Sequence, residues 1–430
     1  MTAIDIVVVG AGAAGIAAAR RLAEHGLSCV LVEAGDKVGG RARTEATRFA
    51  VPVDLGCHWL HAPAQNPLKG HADRLRHRYR AAGQIVRHAA HGRWLDAREG
   101  AACTEHVAAC HDRIRATGRA GEDRAVAGLF DDAPEAPWHD AFAAQFTAKW
   151  GVPPDRASTL DVARYAEAGD DLPVTDGLGA LVSRLARCLP VRLGAAVSRI
   201  ALVAPDAVRV DTAIGRLEGR AAIVTVSTGV LQSGAIRFTP ELPDWKRAAI
   251  GALPMGHCNK LVLAFDRRAM DVPDHCLVVP AGDGAGAVEL LLRPCGAELA
   301  VALYNGPHGR DLAAAGAAAM EEDCLQRLSD LFGTALRRAL RPGAVMADWD
   351  GDPLVRGYVA AALPGRSDAR RDLARPVDGL LFFAGEAVSL PHMGDAHGAW
   401  LSGIAAADAA ATAVLRRSGR ADPGPGGRID

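Results

Sequence analysis

The chain has 430 residues, 49 basic and 50 acidic side chains, a formal net charge of −1, and 49% hydrophobic residues. At about 150 residues per domain, this length suits two or three domains with a buried core. The near-neutral balance excludes a nucleic-acid or polybasic membrane binder, which needs clustered positive charge, and the hydrophobic content excludes a disordered chain.

From Ile4 to Ala19 the chain is almost entirely apolar. It lacks a basic leader, Asp5 and three glycines interrupt it, and it is shorter than the ~20 residues of a membrane helix. Neither a signal peptide nor a span is expected. The pattern predicts a strand at Ile6–Val9, a turn over Gly10–Gly15, and a helix over Ile16–His25 closed by Gly26. A second strand, Cys29–Val32, ends at Glu33.

That order gives the glycines a task. Gly10 permits the tight turn, Gly12 lets backbone amides approach a pyrophosphate, and Gly15 lets helix and strand pack closely. The helix N-terminus favours the phosphate charge. Glu33 lies eighteen residues after Gly15, where a carboxylate accepts bonds from ribose hydroxyls. Dinucleotide binding is the functional reading; a glycine-rich turn without a ligand is the structural one. Next, Gly39-Gly40-Arg41-Ala42-Arg43-Thr44 suits a second anion-binding loop, against the alternative of a solvated basic loop.

Residues 71–175 show helical spacing and no strand run. Their acidic residues Asp131, Asp132, Glu135, Asp170 and Asp171 could hold distal cations, although a charge run is usually a solvated face. His71, His77, His88 and His91 are irregularly spaced, and no metal site is expected. Val191–Leu193 and Ala207–Asp211 alternate like strands. Leu261–Phe265 and Leu299–Tyr304 also read as strands. Met320–Leu340 reads as a helix with Leu325, Leu328, Phe332 and Leu336 on one face. The Gly- and Pro-rich end, 419–430, reads as a disordered tail. Nine cysteines without a CxxC pair read as reduced thiols of a cytoplasmic protein. Only five basic residues are lysines: Lys37, Lys69, Lys149, Lys246 and Lys260. Lys260 stands immediately before an apolar strand, where it either snorkels or points into a site.

Five ordered segments resemble the flavin-containing amine oxidases, the group of monoamine oxidases, polyamine oxidases and histone demethylases. They are the N-terminal glycine turn with Gly39–Thr44; Asp54-Leu55-Gly56-Cys57-His58-Trp59-Leu60-His61; Ala221–Leu231 followed by Phe238–Pro243; Phe383-Ala384-Gly385-Glu386; and His397–Gly403. The pattern is most similar to polyamine oxidases.

The resemblance implies an α/β fold. A Rossmann-type FAD-binding domain (1–75, 176–240, 345–418) would interleave with a mixed-sheet-plus-helices substrate domain (76–175, 241–344). It implies FAD contacts at Gly10, Gly12, Ala14, Gly15, Glu33, Ala34, Gly39, Gly40, Arg41, Gly56, Cys57, His58, Trp59, Val197, Gly385, Glu386, Asp395 and Ala396. The family's lysine that holds a water against the flavin falls at Lys260. His58 matches a histidine near the substrate amine and would adjust its protonation. Tyr358 matches one ring of the aromatic cage around the amine, and His392 falls at the other. Gly357 stands where monoamine oxidases carry a flavin-linked cysteine, so the FAD is expected to be noncovalent. The implied reaction is oxidative deamination of an aliphatic polyamine with O2 reduced to H2O2. The partners are a small amine and O2, with no nucleic acid or membrane, and a homodimer is left open. The alternatives are oxidation of another amine or of an L-amino acid, and a non-enzymatic GDP-dissociation-inhibitor-like protein.

Overall fold

The computed structural model describes residues 4–81, 85–130, 138–166, 169, 171–203, 206–266, 268–282 and 286–419. The strand Ile4–Val9 pairs in parallel with Cys29–Val32 on one side and Gly215–Val224 on the other. Its β-branched run is therefore covered on both faces, and Ile6, Val7 and Val8 are fully buried. The sheet runs Arg237–Thr239, Val197–Val203, Ala207–Thr212, Gly215–Val224, Ile4–Val9, Cys29–Val32, Val191–Arg192. Leu381–Phe383 adds to the far half of Gly215–Val224.

The helix Ala13–Glu24 covers one face, ending at His25 with Gly26 in the left-handed region (φ 67°). The long helix Ala396–Arg417 packs against it. By length and composition this second helix could cross a membrane. Here Trp400, Ala407, Ala410, Ala411 and Val414 are buried in the core beneath the sheet.

A second sheet has the order Leu340–Ala347, Cys258–Phe265, Leu299–Asn305, Ala287–Leu292, Cys276–Pro280, Ile85–Ala90, Arg93–Trp94. The helices Gly306–Ala314 and Ala317–Phe332 pack on one face, over Leu261, Leu263 and Tyr304. The other face carries Val262, Leu277, Leu291, Val301 and Leu303 and meets Val53, Leu55, Trp349 and Tyr358. The cofactor-side segments and the second sheet join there.

Two expectations need correction. Residues 71–175 do contain strands, Arg93–Trp94 and Leu172–Pro173 among them, and the longest, Ile85–Ala90, pairs in parallel with Cys276–Pro280. It escapes the sequence reading because it lies near the sheet edge, with Ile85 and Val86 44% and 51% exposed and Arg87 and His88 beside them. Its pairing comes from a neighbour, not from its own alternation. The helix expected over Met320–Leu340 stops at Phe332, because Gly333 (φ 84°) turns the chain. Leu336 then stays in the core on a separate short turn, Thr334–Ala339. Asp131, Asp132, Glu135, Asp170 and residues 420–430 lie outside the described residues.

Candidate active site

A groove of about 1180 Å³ runs from the glycine turn, past Glu33 and Val197, to Lys260 and Tyr358. Gly10 has φ 100°, and a Cβ there would meet Thr225 Oγ1 at 2.6 Å. A Cβ on Gly15 would stand 1.9 Å from the Gly10 carbonyl oxygen. The turn therefore tolerates no side chain at either place. Gly12 occupies the N-cap of Ala13–Glu24, and no side chain caps that helix. Its free amides and positive dipole end open into the groove, the arrangement that a pyrophosphate requires. Gly12 and Gly39 form a bridge, which brings the second glycine pair to the same spot.

Glu33 accepts from the Ala11 amide at 2.8 Å and from the Gly35 amide at 2.9 Å. These bonds hold its carboxylate at the groove, with lone pairs left for hydroxyl donors. Ala14, Ala34, Gly39, Gly40 and Val197 line the same groove. Arg41 reaches 345 residues along the sequence to Glu386, at 3.0 Å. Glu386 is buried and also accepts from the Ala360 and Gly394 amides. This pair ties the second glycine loop to the C-terminal motif, where Gly385, Asp395 and Ala396 also line the groove.

The segment Asp54–Trp59 is fixed at both ends. The Asp54 carboxylate accepts from the Leu178 and Gly179 amides at 2.7 and 3.1 Å, capping the helix Leu178–Leu185 from a distance. Lys260 lies inside the strand Cys258–Phe265, not before it, and is buried. Its ammonium donates to the carbonyls of Asp54 (3.2 Å) and Gly56 (2.5 Å) and to His58 Nδ1 (2.8 Å). Burial lowers the Lys260 pKa, with Cys258, Asp54, Cys57 and Glu289 acting the other way. Burial, then the Lys260 charge, hold the His58 pKa well below its ordinary value. Gly56 and Cys57 line the groove; His58 and Trp59 do not, and their rings lie 3.5 Å apart, tilted by 46°.

Tyr358 lines the inner end of the groove, and its carbonyl accepts from Arg41. Gly357 before it has φ 129°, and a Cβ there would meet Met255 Cβ at 2.4 Å. A cysteine has no room at this place. Cys57 and Cys258 are the thiols that line the groove, and burial pushes both up to about 12, so they stay protonated. These residues fit a dinucleotide flavin held without a covalent bond.

His392 does not line the groove. Its ring packs 4.3 Å from that of His397, and Tyr358, its expected partner, lines the groove without it. Sequence spacing cannot show which way this turn points. The residue that the loop presents is Asp395, which accepts from the Tyr165 hydroxyl at 2.9 Å and lies 3.8 Å from His61. Burial raises the Asp395 pKa. Asp171 pairs with His61 at 2.7 Å. Tyr165 was not singled out in the sequence; it comes from the helical segment and reaches Asp395 across 230 residues.

Residues 110–411 match the family model described as flavin containing amine oxidoreductase, and residues 8–75 match an NAD(P)-binding Rossmann-like domain. The chain belongs to the flavin containing amine oxidoreductase family. Like other flavin amine oxidases it is an FAD-dependent oxidoreductase acting on amine donors.

Among its relatives is the probable polyamine oxidase 4 of Arabidopsis thaliana, 29% identical over 96% of this chain and 88% of that one. Polyamine oxidase 4 of Oryza sativa is 28% identical over 97% and 91%. Among solved structures, wild-type putrescine oxidase bound to putrescine superposes with a TM-score of 0.78, at 19% identity, over 94% of this chain and 98% of that one. Cyclohexylamine oxidase from Brevibacterium oxydans gives 0.79 at 20% identity, over 95% and 99%. At these identities the structures speak for the fold.

Proposed function

We propose that this flavin amine oxidase acts on aliphatic polyamines, with O2 as acceptor and H2O2 as product. The observation that carries the reading is at the inner groove: Tyr358 and Asp395 both line it, and the Asp395 charge acts on the Tyr358 hydroxyl. A ring and a carboxylate in one groove suit an aliphatic cation, whereas an aromatic monoamine is better held between two rings. The similarity to polyamine oxidases over most of the chain supports the same class.

When bound, FAD supplies the acceptor for a hydride equivalent from the carbon next to nitrogen and passes two electrons to O2. The protein's part is binding, orientation and charge. Asp395 draws in the ammonium, and its raised proton affinity suits it to take the proton that the amine sheds before oxidation. Tyr358 orients the reacting carbon. Lys260 brings its ammonium to the inner groove, where charge develops on reduction and on oxygen chemistry. Val53, Leu55 and Trp349 keep the base of the site dry. The released imine hydrolyses to an aldehyde and an amine. All nine cysteines are free, which supports placing the enzyme in the cytoplasm.

The test is a panel of spermine, spermidine, their acetyl forms, putrescine, benzylamine and phenethylamine with peroxide detection. The aliphatic polyamines should give the higher kcat/KM. Preferred turnover of benzylamine, or turnover without peroxide, contradicts the proposal.

A further inference from the structure

The turn before the last long helix crowds three ligand-type side chains. The Asp395 amide donates to the His392 carbonyl at 3.3 Å, and Gly394 takes φ 81° inside the turn. A Cβ on Gly398 would stand 1.9 Å from the same carbonyl oxygen. Gly398 therefore lets the turn lie directly on the first residues of Ala396–Arg417, and the His392 ring comes to rest beside His397. One ligand atom from each of His392, Asp395 and His397 falls within 4.8 Å of the other two.

All three residues are more than nine-tenths buried. His392 Nδ1 and His397 Nε2 have no hydrogen-bond partner among the described residues. His397 Nδ1 stands 3.7 Å from Asp395 Oδ2, beyond hydrogen-bond reach. Buried ring nitrogens left unpaired cost stability and call for a partner. Asp395 adds a second sign. It occupies the N-cap of Ala396–Arg417, where an aspartate ordinarily accepts from a helix amide, yet its side chain caps none. The carboxylate turns instead to the Tyr165 hydroxyl and to the histidines. Burial lowers the proton affinity of both His392 and His397, so each ring keeps a lone pair for a ligand.

We infer that His392, Asp395 and His397 form a site for a divalent ion of the zinc class, and that its occupation shuts off amine oxidation. Two imidazoles and one carboxylate, with a position left for water, are a donor set of such ions, whereas Mg2+ and Ca2+ take oxygen ligands. Ligand atoms on one tetrahedral zinc stand roughly 3.4 Å apart, so side-chain rotations of about an ångström close the set. The Lys149 charge also acts on Asp395, so directed ligand bonds hold the ion, not a diffuse negative field. The inhibitory part rests on the amine-oxidase reading above, in which Asp395 draws in the ammonium. Asp395 lines the groove and the two histidines do not. The ion sits behind the carboxylate and cancels its charge, so amine and metal exclude each other.

The test uses flavin-loaded enzyme freed of metal with a chelator, as wild type and as His392→Ala, which alters a residue outside the groove. Calorimetric titration with Zn2+ reads the site without any turnover. His392→Ala should bind Zn2+ at least about tenfold more weakly than wild type. Zn2+ taken up by the exposed Cys188 and Cys295 is common to both proteins and cancels in the comparison. In steady-state assays on 1,4-diaminobutane, Zn2+ should raise KM for wild type with kcat unchanged, Mg2+ at the same concentration should not, and His392→Ala should need at least about tenfold more Zn2+ for the same effect. A retained flavin spectrum shows that the variant is folded. Zn2+ that binds wild type with the affinity difference but leaves KM unchanged overturns the inhibitory part and the role of Asp395 in holding the amine, while the metal site stands. Equal Zn2+ affinity in the two proteins, or no saturable binding to wild type, overturns the site itself, whichever amine the enzyme oxidises.

Discussion

The Lys260 ammonium donates to His58 Nδ1 at 2.8 Å, joining residues 202 positions apart. The bond fixes the chemistry of the imidazole. With Nδ1 accepting, the ring's proton is on Nε2, which is buried without a partner among the described residues. His58 is thus a neutral donor. This changes the sequence expectation that it adjusts amine protonation near neutral pH, because burial and the adjacent cation carry its titration far below that range.

A His58→Ala variant should therefore lose turnover by roughly ten- to a hundredfold without moving the limbs of its pH profile between about pH 6 and 9. The kcat/KM profile of variant and wild type checks this. A limb that shifts by a full pH unit in the variant would restore the titrating role.

Lys260→Met should slow the oxidative half-reaction roughly ten- to a thousandfold, with anaerobic flavin reduction less affected. Three acceptors on Asp54–His58 lose their donor at once, so the variant should also unfold with about 1–3 kcal/mol less stability. Stopped-flow rates in both half-reactions and denaturant melts separate the two effects.

Glu289 gives a pH-dependent stability of known sign. Its folded value, about 7, lies above the ordinary 4.5. The native state then holds a proton that the unfolded state releases between these values, so stability falls as pH rises through that window. Glu289→Gln should melt higher than wild type at pH 8, by an amount worth up to ~3 kcal/mol, and equally at pH 4. Equal melting at both values would show that the carboxyl is not held out of water.

Lys246 offers a purely structural contrast. It is fully buried, and its ammonium donates to the carbonyls of Asp372, Leu373 and Arg375 at 2.8, 2.7 and 2.5 Å, closing the C-terminal end of Ala369–Ala374. Lys246→Met should cost about 2–4 kcal/mol and leave KM for the amine within about twofold. Denaturant midpoints together with steady-state kinetics test it.

The orientation of the C-terminal loop makes a separate prediction. His392→Ala should keep kcat/KM within about threefold, since His392 packs on His397 outside the groove, whereas Asp395→Asn should lower it at least about tenfold. The reverse order would return His392 to the site.

The parts legible in the sequence are those built from neighbours in the chain. Gly10, Gly12, Gly15 and Glu33 could be read because a strand, a turn and a helix that follow directly set their geometry. The flavin motifs could be matched in order for the same reason. What escaped depends on partners far away. Most of Ile85–Ala90 finds its strand partner in Cys276–Pro280, about 190 residues on. Tyr165 reaches Asp395 across the fold, and Lys246 finds its carbonyls 126 to 129 residues on. His392 and Asp395 are three residues apart, and only the turn between them decides which one lines the groove.

The measurement that tests the central claim most directly is anaerobic titration of the purified yellow protein with spermidine. The account predicts that spermidine bleaches the visible flavin band without O2, that admitting air restores it with release of peroxide, and that acid precipitation leaves the flavin in the supernatant. A band that no amine bleaches, or a flavin that stays on the precipitated protein, would contradict it.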